Sequence, residues 1–352
     1  MAERLSQSTL RFEKPPVILN YASVAGKKEA EGPLGKEFDL VNEDTTFGES
    51  TWEKSESKMQ KTAVEMVLEK AGLAPGQVDV LFAGDLLNQC VSSTYGLRQL
   101  GIPFLGLFGA CSTMAEGLIS ASMLVEGGLA RCAAAVTSSH FCTAERQFRL
   151  PLEYGGQRPP TSQWTVTASG AALVCDPAVL QGKDAILPSL PSVVSLPKIR
   201  AVTVGKITDL GITDANNMGA AMAPAACSTL EDYLKATGTR LEEIDLIVTG
   251  DLGAVGSRLL CELLEQDGVD IRDKHLDCGN LIYDPEKQDV HAGGSGCGCC
   301  ASVLCAHFLP RVARGEIRRM LFCATGALMS TTIVQQGESI PGICHLVELT
   351  AE

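Results

Sequence analysis

The chain has 352 residues, 45% of them hydrophobic and only 5% aromatic, and a formal net charge of −13. That length can fill two large cores built from aliphatic side chains, and the acidity argues against broad nucleic-acid binding, so no nucleic-acid partner is expected. No segment has the roughly 20 uninterrupted apolar residues that span a bilayer; residues 1–15 carry five charged side chains and no apolar core, which reads as no export signal and a cytoplasmic chain.

In chain order, the first element is an apolar run over residues 17–24, read as a strand. Residues 51–71 place Trp52, Met59, Val64, Met66, Val67 and Leu68 at roughly helical spacing among Glu and Lys. The run Val78-Asp79-Val80-Leu81-Phe82-Ala83-Gly84-Asp85-Leu86 then predicts a strand and turn, followed by a short helical segment. A buried strand is expected over 102–108, leading into the turn Gly109-Ala110-Cys111-Ser112 and a small-residue helix over 112–126. Residues 132–137 are a continuous apolar stretch of the kind that forms a fully buried strand.

The Pro- and Ser-rich stretch Leu187-Pro188-Ser189-Leu190-Pro191-Ser192 is a natural joint, dividing the chain into halves 1–190 and 191–352. The second half repeats the first. A strand over 199–207 and a helix over 228–237 lead to Ile244-Asp245-Leu246-Ile247-Val248-Thr249-Gly250-Asp251-Leu252, the same strand-and-turn pattern written again. A second short helical segment precedes Gly296-Cys297-Gly298-Cys299-Cys300, a small-residue helix, and a buried strand over 320–325. Each half is therefore a strand followed by alternating helix and strand, which calls for a mostly parallel sheet clothed by helices. The two small-residue helices are expected side by side at the centre, since a surface helix carries more charge.

Fourteen cysteines in a chain of this kind read as reduced and buried, with Cys132, Cys175, Cys305 and Cys323 inside apolar runs. The cluster Cys297, Cys299 and Cys300 lacks paired C-x-x-C spacing and has no His within its turn, so packing is favoured over metal binding and no metal site is assigned. Cys111 is different. A thiol at a helix N-terminus meets the positive end of the dipole and unpaired N–H groups, which predicts a lowered pKa and a place to hold an anion or oxyanion. The alternative is one more buried cysteine.

A twice-repeated α/β half with Gly109-Ala110-Cys111-Ser112 at the start of a central helix resembles the thiolase and ketoacyl synthase superfamily. That resemblance implies duplicated α/β halves in a five-layer αβαβα fold with mostly parallel mixed sheets. It also implies a Cys that accepts an acyl group, assisted by a His or Asn from the second half. Where a class III ketoacyl synthase carries that His, this chain has Thr249-Gly250-Asp251-Leu252. Where it carries Asn, this chain has Gly293-Gly294-Ser295-Gly296. An aspartate beside an enolate opposes the charge it must stabilise, so condensation chemistry is poorly supported; His291 lies close by in sequence.

A narrower resemblance covers most of the chain. The segments Phe82-Ala83-Gly84-Asp85-Leu86-Leu87-Asn88-Gln89, Leu107-Phe108-Gly109-Ala110-Cys111-Ser112-Thr113, Thr137-Ser138-Ser139-His140, Thr143-Ala144-Glu145-Arg146-Gln147-Phe148-Arg149, Glu153-Tyr154-Gly155-Gly156-Gln157, Asp209-Leu210-Gly211-Ile212-Thr213-Asp214 and Ala292-Gly293-Gly294-Ser295-Gly296-Cys297 resemble the stage V sporulation protein AD family. The resemblance implies a noncatalytic protein that binds dipicolinic acid, with or without Ca²⁺. It implies work with membrane proteins of a sporulation transport system at the forespore inner membrane, where the chain is peripherally associated. An acyltransferase using Cys111 is the alternative. Related folds pair through a strand, so a homodimer is expected.

A flat dianion requires local positive charge or aimed N–H donors. The ligand residues expected are Cys111, Ser112, Ser138 and Ser139 around one carboxylate and His140 or Arg146 at the other. Asp85, Gly294 and Ser295 are also candidates. Each has a second reading. His140 can tie down a loop, Asp85 and Asp251 can bond N–H groups of their repeated turns, and Gly294 can serve a tight turn. Arg149 and Arg158 are expected as surface or interface charges. No other cofactor is expected.

Overall fold

The computed structural model describes residues 2–149, 158–180 and 195–351. The expected joint near residue 190 and the Glu153–Gln157 segment lie outside these residues. The first half contains β1 (Val17–Gly26), α1 (Trp52–Ala71), β2 (Val80–Gly84), α2 (Val91–Leu97), β3 (Phe104–Leu107), α3 (Thr113–Glu126), β4 (Cys132–Ser139), α4 (Phe141–Arg149) and β5 (Ala168–Cys175). The second contains β6 (Lys198–Thr203), α5 (Met218–Thr237), β7 (Leu246–Thr249), α6 (Gly253–Gln266), β8 (His275–Asp277), α7 (Cys297–Val303), β9 (Arg319–Ala327), α8 (Thr331–Gln335) and β10 (Gly342–Thr350).

The main strands of the two halves pair alike, while the short strands Thr9–Arg11 and Leu40–Asn42 add to β6 and β1 without counterparts. The first sheet runs β3-β2-β4-β5-β1 and the second β8-β7-β9-β10-β6, so corresponding strands occupy corresponding places. In each sheet the first two pairings are parallel and the last two antiparallel, so four of five strands point one way. The repeated sentence is in register on both sides, with Gly84 opposite Thr137 and Thr249 opposite Cys323. The sheets meet edge to edge at a single pair, Val17 with Lys198.

Strand alternation distributes side chains into three apolar layers. Leu81, Ala134 and Leu173 face outward onto Met59, Ala63 and Val67 of α1. Phe82, Ala135 and Val174 face inward, where they meet Met114 and Leu118 of α3, Cys300 of α7, and Val248, Phe322 and Val347 of the second sheet. On the far side, Ile247, Leu321 and Leu346 pack on Met222 and Leu230 of α5 and Leu260 of α6. The order is helix, sheet, helix, sheet, helix, and the two small-residue helices are buried at the centre as expected.

Local signals explain most boundaries. Thr51 caps α1 by accepting from Lys54 N, and Gly72 ends it in the left-handed region at φ 65°. Three expectations need correction. α5 begins ten residues before residue 228, capped by Asn217 onto Ala220 N, because the Ala-rich run 219–226 is itself helical and buried and accommodates Pro224. The segment after the second repeat is not short: α6 spans 14 residues. The strand expected as buried over 102–108 is the outermost strand β3, which leaves Phe104 and Leu105 exposed because nothing pairs beyond it.

All cysteines of the chain are free thiols, and Cys132, Cys175, Cys297, Cys299, Cys300, Cys305 and Cys323 are buried. Cys297 donates to Ser138 O at 2.9 Å and Cys300 to Cys111 O at 3.5 Å, so the C-x-C-C cluster stitches α7 to the first half.

Candidate functional site

The turn between β3 and α3 is held in an unusual shape. Ala110 sits at φ 52°, a conformation that a Cβ disfavours. Ser112 Oγ donates to Gly109 O at 2.7 Å and Thr113 Oγ1 to Ala110 O at 2.6 Å, fixing it locally. The end of β9 closes it from the second half: a Cβ on Gly326 would stand 2.9 Å from Gly109 O. The result lifts Cys111 to the floor of a cavity, at 6% exposure.

Behind Cys111 is Asp251. Its Oδ1 accepts from Thr325 Oγ1 at 2.9 Å, and its Oδ2 from Gly296 N at 2.9 Å and Ser295 Oγ at 3.3 Å. The Cys111 thiol lies within the electrostatic reach of this carboxylate. Burial raises the Asp251 carboxyl from 3.8 to about 6. Burial, and then the charge of Asp251, push the Cys111 thiol well above the ordinary thiol range. The expectation of a lowered thiol pKa is therefore overturned: desolvation and a neighbouring carboxylate outweigh the helix terminus.

The two Gly-Asp-Leu turns do different work. Asp85 bonds its own turn, accepting from Leu87 N at 2.9 Å, and also takes Ser93 N at 2.8 Å and Ser93 Oγ at 2.6 Å. In the second half that role passes to Asp277, whose carboxylate accepts from Leu252 N at 2.8 Å and Gly253 N at 3.0 Å. Asp251 is thereby released toward Cys111.

The cavity above Cys111 has a volume of about 290 Å³, near the lower end of small-molecule pockets, which run from roughly 300 Å³ upward. Its walls from the first half are Leu86, Phe108, Ala110, Ala144, Glu145, Phe148 and Thr165. The second half adds Met218, Ser295, Ala327, Leu328, Met329 and Ser330. Among the described residues no lysine, arginine or histidine lines it, and its charged lining group is the carboxylate of Glu145.

Of the residues expected from sequence, Cys111 and Ser295 meet in this cavity. The others make bonds within the fold. Ser112 holds the turn. Ser138 Oγ donates to Glu56 at 3.0 Å, and Ser139 Oγ to Val166 O at 2.7 Å. His140 accepts from Cys142 N at Nδ1, so Nε2 carries the proton toward Thr45 O at 3.0 Å. Burial lowers its pKa, and it ties down a loop. Arg146 is half-exposed and ion-paired with Glu53. Asp85 is fully buried in its turn, and Gly294 O accepts from Gln163 Nε2 at 2.8 Å. His291 lies beside Asp289 rather than in the cavity. Arg158 is not a free surface charge: its side chain is 22% exposed and bonded to Asp289. The side chain of Arg149 lies outside the described residues.

Sequence reasoning missed Glu145, Phe148, Thr165, Met218 and the Ala327–Ser330 wall. Glu145 and Phe148 stood in a quoted motif one helical turn apart, on one face of α4. The Ala327–Ser330 wall is irregular backbone after a strand and carries no periodic signal.

The fold resembles that of 3-oxoacyl-[acyl-carrier-protein] synthase III from Aquifex aeolicus VF5, with a TM-score of 0.55 and 13% identity over 95% of this chain and 99% of that one. It also resembles cerulenin-bound OleA of Xanthomonas campestris, with a TM-score of 0.60 and 12% identity over 97% and 98% of the two chains. At this identity the likeness speaks to fold alone, a thiolase-like one. Sequence similarity goes further. The family model for stage V sporulation protein AD matches residues 6–350. Stage V sporulation protein AD of Bacillus subtilis (strain 168) is 45% identical over 340 residues, covering 96% of this chain and 95% of that protein. The chain is a sporulation protein and belongs to the stage V sporulation protein AD family.

Proposed function

We propose that this chain is a noncatalytic binding protein for dipicolinate, and that the ligand occupies the cavity above Cys111 as its calcium chelate. The observation that carries the noncatalytic part is the burial of the Cys111 thiol beside the Asp251 carboxylate, in a cavity that no histidine lines among the described residues. A thiolate forming there would face a carboxylate where a condensing enzyme supplies a neutral or positive group. The same charge supports the metal chelate over the free dianion. The Asp251 carboxylate beneath Cys111 would repel two uncompensated ligand carboxylates, whereas bound Ca²⁺ neutralises them.

The chain would act with membrane proteins in loading the ligand into the developing spore, attached peripherally at the forespore membrane. No helix among the described residues is long and apolar enough to cross a membrane, so passage across the bilayer falls to those partners. The exposed edge strand β3, with Leu105 51% and Phe108 53% exposed, is a surface on which a second copy would add its own edge strand.

The competing reading is acyl transfer through Cys111, favoured by its place at the head of α3. Incubation with acyl-coenzyme A followed by intact-mass measurement separates the two. The binding reading expects no mass increase, together with saturable calorimetric heats for calcium dipicolinate. A thioester on Cys111 with no dipicolinate binding would overturn it.

A further inference from the structure

We infer that Lys28 and Arg158, gathered on the ring of Trp164, form a second anion site, for one carboxylate of a planar aromatic acid, back to back with the Cys111 cavity. The two-residue ribbon that separates them pairs Trp164 with Gly294 and Thr165 with Ser295. Alternation turns Thr165 and Ser295 toward the cavity they line and Trp164 away from it.

On that reverse side, Phe141 stacks on Trp164 at 3.9 Å with an interplanar angle of 10°, filling one face of the indole. The cations therefore share the other face. Lys28 Nζ is 4.1 Å and Arg158 Cζ 4.8 Å from the ring centroid. Two like charges on one aromatic face repel each other, and the ring quadrupole offsets only part of that. Glu29, Asp289 and Glu31 act on Lys28 at a distance, without closing an ion pair on it among the described residues. Arg158 Nη2 reaches Asp289 at 2.8 Å, but Asp289 is 76% exposed and also serves His291.

One donor is left over. Arg158 Nη1 is buried and has no hydrogen-bond partner, although a guanidinium presents its donors as a fork matched to a carboxylate. A carboxylate seated here would take the Lys28 ammonium on one oxygen and, on a turn of the guanidinium that brings Nη1 out, the Arg158 fork on the other. Burial, reinforced by Arg158, pushes Lys28 below the usual ammonium range against the pull of Glu29, and a bound anion would reverse that. The ligand class rests on the dipicolinate reading above; the anion site rests on local geometry alone.

The chain has two tryptophans, so Trp52→Phe leaves Trp164 as the sole indole reporter. Titrating this protein with dipicolinate and with benzene-1,3-dicarboxylate, exciting at the red edge of tryptophan absorption, should change Trp164 emission saturably. In that background Arg158→Gln and Lys28→Gln should each weaken the response at least about tenfold, and Arg158→Lys less, since it keeps charge but loses the fork. Circular dichroism checks folding; Lys28→Gln carries the test should Arg158→Gln not fold. Dipicolinate heats with a silent Trp164, or affinities untouched by both glutamine variants, overturn the site and leave the cavity reading standing. A Trp164 response to benzene-1,3-dicarboxylate without dipicolinate binding supports the anion site and removes the dipicolinate reading.

Discussion

Replacing Asp251 by asparagine is expected to make the protein more stable above neutral pH, although it removes a residue with several hydrogen bonds. The rise of this carboxyl from 3.8 to about 6 on burial means that ionising it costs the folded state about 3 kcal/mol. Below the unfolded value the group is protonated in both states, and the substitution relieves no ionisation cost there. Between the two values the folded protein holds a proton that the unfolded chain has released, so native stability falls as pH rises through about 6. Asparagine cannot ionise and escapes that loss. It can keep accepting from Gly296 N while donating to Thr325 Oγ1, at the expense of about 1 kcal/mol of rearranged hydrogen bonding. The net effect is a gain of about 2 kcal/mol near pH 8 and a loss of about 1 kcal/mol near pH 4. Urea unfolding at both pH values measures it. An asparagine variant less stable at both values, or equally more stable at both, would refute a buried, ionised Asp251.

Three further outcomes follow from the same geometry. Cys111 should react with iodoacetamide far more slowly near neutral pH than a free thiol, and Asp251→Asn should speed it by about tenfold or more, read by peptide mass mapping. Gly298→Ala should fold poorly, losing several kcal/mol, because its Cβ would fall 2.2 Å from Ala168 O and 2.6 Å from Ser139 N; soluble yield and melting temperature report it. Leu105→Lys on β3 should shift a dimer to monomer in sedimentation, and an unchanged sedimentation coefficient would place any pairing elsewhere.

The strands and their duplication were legible because a buried strand writes its burial in apolar runs and alternation, and the two halves wrote it alike. Cys111 was legible as the residue opening a small-residue helix. Its chemistry was not, since the helix terminus is local while the decisive carboxylate arrives from far along the chain. The identical Gly-Asp-Leu turns misled for the same reason. Asp85 and Asp251 diverge through Asp277, which has no counterpart in the first turn's own bonding. Ser138 and His140 stand at a strand end where ligands often gather. Yet Glu56 on α1 takes the Ser138 hydroxyl, and the backbone of Thr45 takes the His140 ring. Only tertiary contacts reveal that.

The central claim is that the Cys111 cavity holds the ligand. Ala144 is 3% exposed and lines that cavity, so Ala144→Leu adds three carbons to its interior without touching the charged groups around it. Calorimetric titration of calcium dipicolinate into wild type and Ala144→Leu is the direct measurement. The cavity reading predicts saturable binding to wild type and at least about a tenfold loss in the variant, at unchanged circular dichroism. Equal affinity in the two proteins would contradict it and move the ligand out of the cavity.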